Sequence, residues 1–169
     1  MRTLVTGGVK SGKSRRALEI VRSEFLGNVA FVATAELFDD ELRDRVERHR
    51  RERKETFADV AFRTIEEPIE LGSAIRNAGA AAVVDCLPLW INNLMHYGRE
   101  ADFESILGDF IAHLPPDCVV VTNETGLGNI PFDEATRRYN RLLAEANVRV
   151  AAAADRVELM VAGLPLRVK

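Results

Sequence analysis

A chain of 169 residues suits one domain, residues 1–169, built around one core. Hydrophobic residues make up 47% and charged residues 29%, which excludes a disordered or fibrous chain. Lys plus Arg total 23 and Asp plus Glu total 26, and the resulting net charge of −3 argues against a dedicated nucleic-acid binder.

Leu4-Val5 opens a short apolar strand, which the glycines Gly7, Gly8 and Gly12 interrupt. Residues 13–25 read as a helix, with Ala17, Ile20, Val21 and Glu24 on one face. Val29–Ala33 is a continuous apolar run, as expected of a parallel strand covered on both sides. A charged helical period covers residues 39–55, with Leu42 and Val46 as its sparse apolar stripe. Asp39 and Asp40 stand at its start, where the helix dipole favours negative charge. Residues 62–65 read as a short strand, and Pro68 predicts the start of a helix ending near Gly79. Residues 80–85 form an apolar strand ending in the carboxylate of Asp85. Helices follow over 87–97 and 102–114, the second stopped by Pro115-Pro116. Residues 119–122 are a third apolar strand, followed by a loop with Gly126 and Gly128. A long helix is expected over 132–154, then strands over 156–161 and 166–169 joined by a turn at Gly163-Leu-Pro165.

Cys86 and Cys118 adjoin apolar runs without metal-type spacing, so both read as buried thiols. The apolar stretch at the N-terminus is far too short for a signal peptide, and no segment is long enough to span a bilayer. The expected location is cytoplasmic.

Residues 7–14 read Gly7-Gly8-Val9-Lys10-Ser11-Gly12-Lys13-Ser14 and match G-x-x-x-x-G-K-[ST] in full, between a strand and a helix. The glycines let backbone N–H groups turn toward phosphate oxygens, and the helix N-terminus adds partial positive charge. Lys13 would reach the β- and γ-phosphates, and the Ser14 hydroxyl would hold Mg²⁺. Asp85 would complete the metal shell from a neighbouring strand, a role compatible with the alternative of capping the helix over 87–97. Alternating strands and helices around this motif predict an α/β P-loop NTPase (RecA-like) domain of three layers. Its sheet is expected to be mostly parallel, with an antiparallel C-terminal edge hairpin.

Asn-Lys-x-Asp, the guanine-reading motif of GTP switches, is absent. His49 lies three residues after Val46 and seven after Leu42, so it shares their face and is expected to point inward. It reads as a packed helical histidine, or as a nucleophile toward a phosphate that Arg48, Arg50, Arg51 and Arg53 draw in. Glu124, Gly126 and Gly128 either line a ligand site or form a plain connection between strand and helix.

Several segments together resemble one family, the bifunctional adenosylcobinamide kinase and adenosylcobinamide-phosphate guanylyltransferases of cobalamin synthesis. They are residues 4–15, Ala33-Thr-Ala-Glu36, Asp39-Asp-Glu41, Arg45-Val-Glu-Arg-His-Arg50, Glu66-Glu-Pro68, Val84-Asp-Cys-Leu87, residues 90–94, Val121-Thr-Asn-Glu-Thr-Gly-Leu-Gly128 and Val161-Ala-Gly-Leu-Pro165. The resemblance implies two reactions. The hydroxyl of the aminopropanol arm of adenosylcobinamide is phosphorylated. GTP then gives its GMP moiety to His49, and the substrate phosphate takes it up as adenosylcobinamide-GDP. It also implies that Thr34, Ala35, Glu36, Arg50, Arg51, Glu52, Arg53, Glu66 and Asp85 belong to the nucleotide site, with GTP, ATP and Mg²⁺ bound by a homotrimer. The sequence departs from the family pattern at Tyr139-Asn-Arg141, Ala144, Asn147-Val148 and Pro88. Other readings of the same P-loop are a kinase of another metabolite or a nucleotide-binding subunit without chemistry.

Overall fold

The computed structural model describes residues 1–36, 40–127 and 130–169, apart from the side chains of Glu41, Leu42 and Arg45. Seven strands form one sheet: β1 (Arg2–Gly7), β2 (Val29–Ala33), β3 (Phe62–Glu66), β4 (Ala81–Asp85), β5 (Asp117–Val121), β6 (Arg156–Val161) and β7 (Leu164–Arg167). Their spatial order is β3-β2-β4-β5-β1-β6-β7. Every pairing is parallel except β6 with β7. The central strands are buried on both faces, as their unbroken apolar runs require.

Helices α1 (Lys13–Glu24), α2 (Asp40–Thr56), α3 (Leu71–Arg76), α4 (Leu87–His96), α5 (Phe103–Ala112) and α6 (Glu134–Ala153) connect the strands. One face of the sheet packs against α3, α4, α5 and α6 through Leu71, Trp90, Leu107, Phe110 and Leu143. The other face packs against Ala17, Ile20 and Val21 of α1 and against Phe57, just past α2. On α1, Glu24 is exposed and reaches Arg156 instead of joining the apolar face.

Three boundaries differ from expectation for local reasons. The helix predicted from Pro68 starts at Leu71. The Glu67 carboxylate accepts the N–H groups of Ile69 and Glu70, and Asn93 donates to the Pro68 carbonyl, so the chain turns before it coils. The long helix starts at Glu134, because Asp133 caps it by accepting Thr136 N–H at 2.7 Å. The terminal hairpin turns at Ala162-Gly163, with φ of 51° and 85°, and Pro165 lies inside β7. Positive φ at both turn residues suits a tight hairpin, and an edge strand tolerates proline.

Asp85 does not end a strand adjacent to β1, because β5 stands between β4 and β1. That crossover depends on long-range pairing and leaves no local signature. Asp39 and Gly128 lie outside the described residues. Cys118 is buried as expected, which pushes its thiol pKa up to about 12; Cys86 is only partly covered.

Behind the first loop lies a charged network. Arg16 on α1 binds the Glu158 carboxylate through two nitrogens at 2.7 and 3.0 Å, and Glu158 is 5% exposed. Hydrogen bonding from Arg16 holds the Glu158 carboxyl below the usual carboxylate range. Its contribution to stability is therefore present above the ordinary carboxylate pKa and is lost as pH falls through the lowered folded-state value. Glu158→Ala is expected to destabilise the fold by about 2 kcal/mol, a figure discounted for the partial exposure of Arg16. Glu158→Gln should flatten the acid side of a stability–pH curve followed by chemical denaturation.

Candidate active site

The loop between β1 and α1 carries the phosphate motif. Gly7 has φ of 148°, and a Cβ there would stand 2.6 Å from the Met160 carbonyl oxygen, so β6 closes against it from behind. Gly12 precedes α1 with φ of 94°, a left-handed conformation that glycine adopts at little cost. The Lys13 Nζ donates to the Gly8 carbonyl at 2.5 Å, which sets the ammonium group over its own loop. The Ser11 hydroxyl oxygen is buried and has no partner among the described residues. A loop with a helix N-terminus, an ammonium group and an unpaired hydroxyl is suited to phosphate oxygens.

Ser14, Phe31, His49, Glu52, Arg53 and Asp85 line one cleft at the C-terminal ends of the central strands. That is where open α/β sheets bind ligands. His49 is exposed to this cleft rather than packed with an apolar stripe. The helix is almost wholly charged, so it carries His49 on a solvated face and not into the core. Arg53, one turn further along α2, lies over the Phe31 ring at 3.8 Å from its centroid and within 5.8 Å of the Phe62 centroid. Burial lowers the Arg53 pKa, and the charge of Asp85 acts in the opposite sense. Phe31 was visible in the sequence only as a strand residue, since nothing local marks a ring as the seat for a distant guanidinium.

The other predicted positions divide. Arg50 pairs with Glu66 at the end of β3, and both sit at the rim. Arg51 is exposed. Gly8, Val9 and Lys10 form the exposed tip of the loop, and Lys10 has φ of 55°. Thr34 is fully buried; its hydroxyl donates to the Cys86 carbonyl and accepts the Cys86 N–H, both at 2.8 Å. The Thr34 N–H also bonds the Asp85 carbonyl at 3.2 Å. This clasp ties the ends of β2 and β4 together, and the partly buried Ala35 and Glu36 continue from it. Glu124 donates its N–H to the Gly7 carbonyl at 3.2 Å, which places the loop after β5 beside the phosphate motif, while Gly126 is exposed.

Ser14 and Asp85 present hard oxygen donors to the same cleft. That chemistry fits Mg²⁺, which takes one or two protein oxygens and completes its shell with phosphates and water. No group of three or more His, Cys, Asp or Glu side chains able to hold a metal occurs among the described residues.

Helix α6 supports this edge through Asn147 and through Tyr139 and Asn140, two positions where the sequence departs from the pattern it resembles. Asn147 accepts from the Thr122 hydroxyl at 2.6 Å and donates to the Asn123 carbonyl at 2.9 Å. Asn140 accepts from Thr125 at 3.1 Å, and the Tyr139 hydroxyl donates to the Pro88 carbonyl at 3.3 Å.

Comparison with known proteins agrees with this architecture. FlaH, a flagellar accessory protein from Methanocaldococcus jannaschii, superposes with a TM-score of 0.50 over 99% of this chain and 77% of its own, at 11% identity. That likeness concerns the P-loop NTPase-type fold alone. The bifunctional adenosylcobalamin biosynthesis protein CobP of Pseudomonas aeruginosa is 36% identical over 176 residues, covering 100% of this chain and 98% of that protein. The corresponding CobU protein of Escherichia coli strain K12 is 31% identical over 188 residues, covering all of both chains. The family model for cobinamide kinase / cobinamide phosphate guanyltransferase matches residues 3–168, and the chain belongs to that family.

Proposed function

We propose that this chain phosphorylates the aminopropanol hydroxyl of adenosylcobinamide and then transfers GMP from GTP to the product by way of His49. The observation that carries this reading is the meeting of Ser14, Asp85 and His49 in one cleft. A phosphate motif alone supports a kinase. An imidazole facing the same cleft supplies a nucleophile for the α-phosphate.

In the first reaction the substrate hydroxyl oxygen attacks the γ-phosphorus, and the nucleoside diphosphate leaves. Lys13 and the N–H groups of residues 7–14 hold the terminal phosphates while charge spreads over their oxygens. In the second, an imidazole nitrogen of His49 attacks the α-phosphorus of GTP and pyrophosphate leaves. An oxygen of the cobinamide phosphate then attacks that phosphorus, the P–N bond breaks, and adenosylcobinamide-GDP is released. Arg53 on its Phe31 seat and Arg50 at the rim offset negative charge along the path. Mg²⁺, held by Ser14 and Asp85, would neutralise phosphate charge. ATP or GTP serves the kinase step. Thr34, Ala35, Glu36, Arg51, Glu52 and Glu66 complete the nucleotide site. The chain works as one domain in a cytoplasmic homotrimer, and no helix of the described residues is long and apolar enough to cross a membrane.

Incubation with adenosylcobinamide and GTP, followed by mass spectrometry, tests the reading. The expected products are the cobinamide phosphate and then its GDP adduct. Phosphate without adduct would reduce the chain to a single-activity kinase, and neither product would leave a nucleotide-binding subunit.

A further inference from the structure

A nucleophile on His49 must stand at a fixed distance from the α-phosphorus, yet the helix that carries it has little to hold it. No described side chain of α2 belongs to either buried core cluster. The Arg50–Glu66 pair is exposed at the rim, where an ion pair contributes little. Two residues on the face of His49 do more. Phe57, two turns further on, is 3% exposed within the core, and its N–H donates to the Arg53 carbonyl at 3.1 Å, so the helical turn runs on to it. Arg53 lies between the two, about one turn from each. Its guanidinium carbon stands 3.8 Å from the centroid of the Phe31 ring, and its planar group is the kind that packs on a ring face. Phe62 on β3 meets the Phe31 ring edge-on at 89°, with centroids 6.1 Å apart, and braces it from the side. The Thr64 hydroxyl, two residues along β3, accepts from Arg53 Nη2 at 3.4 Å. Phe31, Arg53 and His49 line the same cleft as Ser14 and Asp85.

We infer that Phe31, braced by Phe62, is a positioning residue for the guanylyl step: it seats Arg53, and through Arg53 it fixes where α2 holds His49. The inference rests on the guanylyl reading above. Phe57 fixes one point of the helix. The seat at Arg53 fixes a second, and two points set the direction in which His49 stands over the cleft. A side chain without a ring offers the guanidinium no face, so Arg53 turns to water and α2 loses its second point. Phosphoryl transfer does not use His49 and depends less on the seat.

Two rates are measured at saturating nucleotide: transfer of labelled GMP to His49 in one turnover, and phosphorylation of adenosylcobinamide. Phe31→Leu stays apolar and loses the ring. Its ratio of labelling to phosphorylation should fall about tenfold or more, since misplacing a reacting group by about 1 Å costs up to about a hundredfold. Phe31→Tyr keeps the ring and should keep the ratio within a few-fold. Arg53→Lys keeps the charge, but an ammonium cannot lie flat on a ring, so labelling should fall as it does in Phe31→Leu. The two changes together should lower it no further than either alone, because each removes the same contact. Thermal unfolding checks that each variant is folded; should Phe31→Leu not fold, Phe62→Leu on the edge strand takes its place and should lower the ratio as well. The inference is overturned if Phe31→Leu keeps the wild-type ratio, if Arg53→Lys labels as wild type does, or if the losses from the two changes multiply. Wild-type protein that takes up no label would overturn the guanylyl reading itself, whereas labelled wild type with a ratio indifferent to Phe31 would overturn this inference alone.

Discussion

His49→Ala stops formation of adenosylcobinamide-GDP while phosphorylation of adenosylcobinamide continues. The expected loss in GMP transfer is about a thousandfold or more, the scale seen when a covalent nucleophile is removed. The kinase step should stay within a few-fold. The prediction is clean because His49 is exposed on a charged helix, so truncation leaves no cavity and no unpaired buried group. Thermal unfolding of the variant should match wild type. A variant that loses both activities, at unchanged stability, would show that His49 binds a phosphate shared by the two steps and is not the nucleophile of one.

Lys13→Ala has the opposite signature and fails in both reactions. The Lys13 Nζ sits over the loop that would hold the terminal phosphates. Those phosphates are the transferred group in one reaction and the leaving group in the other. Removing one preorganised donor from such a site costs about a hundred- to a thousandfold in kcat. Separate measurement of the γ-phosphate and GMP transfers should find both depressed. Loss of the kinase alone would mean that the guanylyl step uses a different triphosphate site.

The two variants depend on features that were not equally legible in the sequence. The phosphate loop was readable because it is local: eight consecutive residues fix its conformation, and Gly7 and Gly12 stand where the backbone needs them. The parallel strands were readable from their buried apolar runs. What the sequence did not reveal depends on residues far apart in the chain. The placement of β5 between β4 and β1 comes from long-range pairing, so Asp85 approaches the loop across an intervening strand. The seat of Arg53 on Phe31 joins residues 22 apart, and the Tyr97–Glu36 bond joins residues 61 apart. Spacing placed His49 on the face of Val46, yet Val46 is only partly buried, and His49 is exposed and lines the cleft. Local side-chain bonds moved the smaller boundaries: Glu67 delays α3, and Asp133 sets the start of α6.

The central claim is that one cleft both holds the triphosphate and carries its GMP on His49. Wild-type protein incubated with GTP labelled at the α-phosphate, then denatured, tests it most directly. Label should remain on the protein, survive alkali and be released by acid, as a phosphorus–nitrogen bond requires, and His49→Ala should retain none. Wild-type protein that keeps no label, or a His49→Ala variant that keeps as much as wild type, would contradict it.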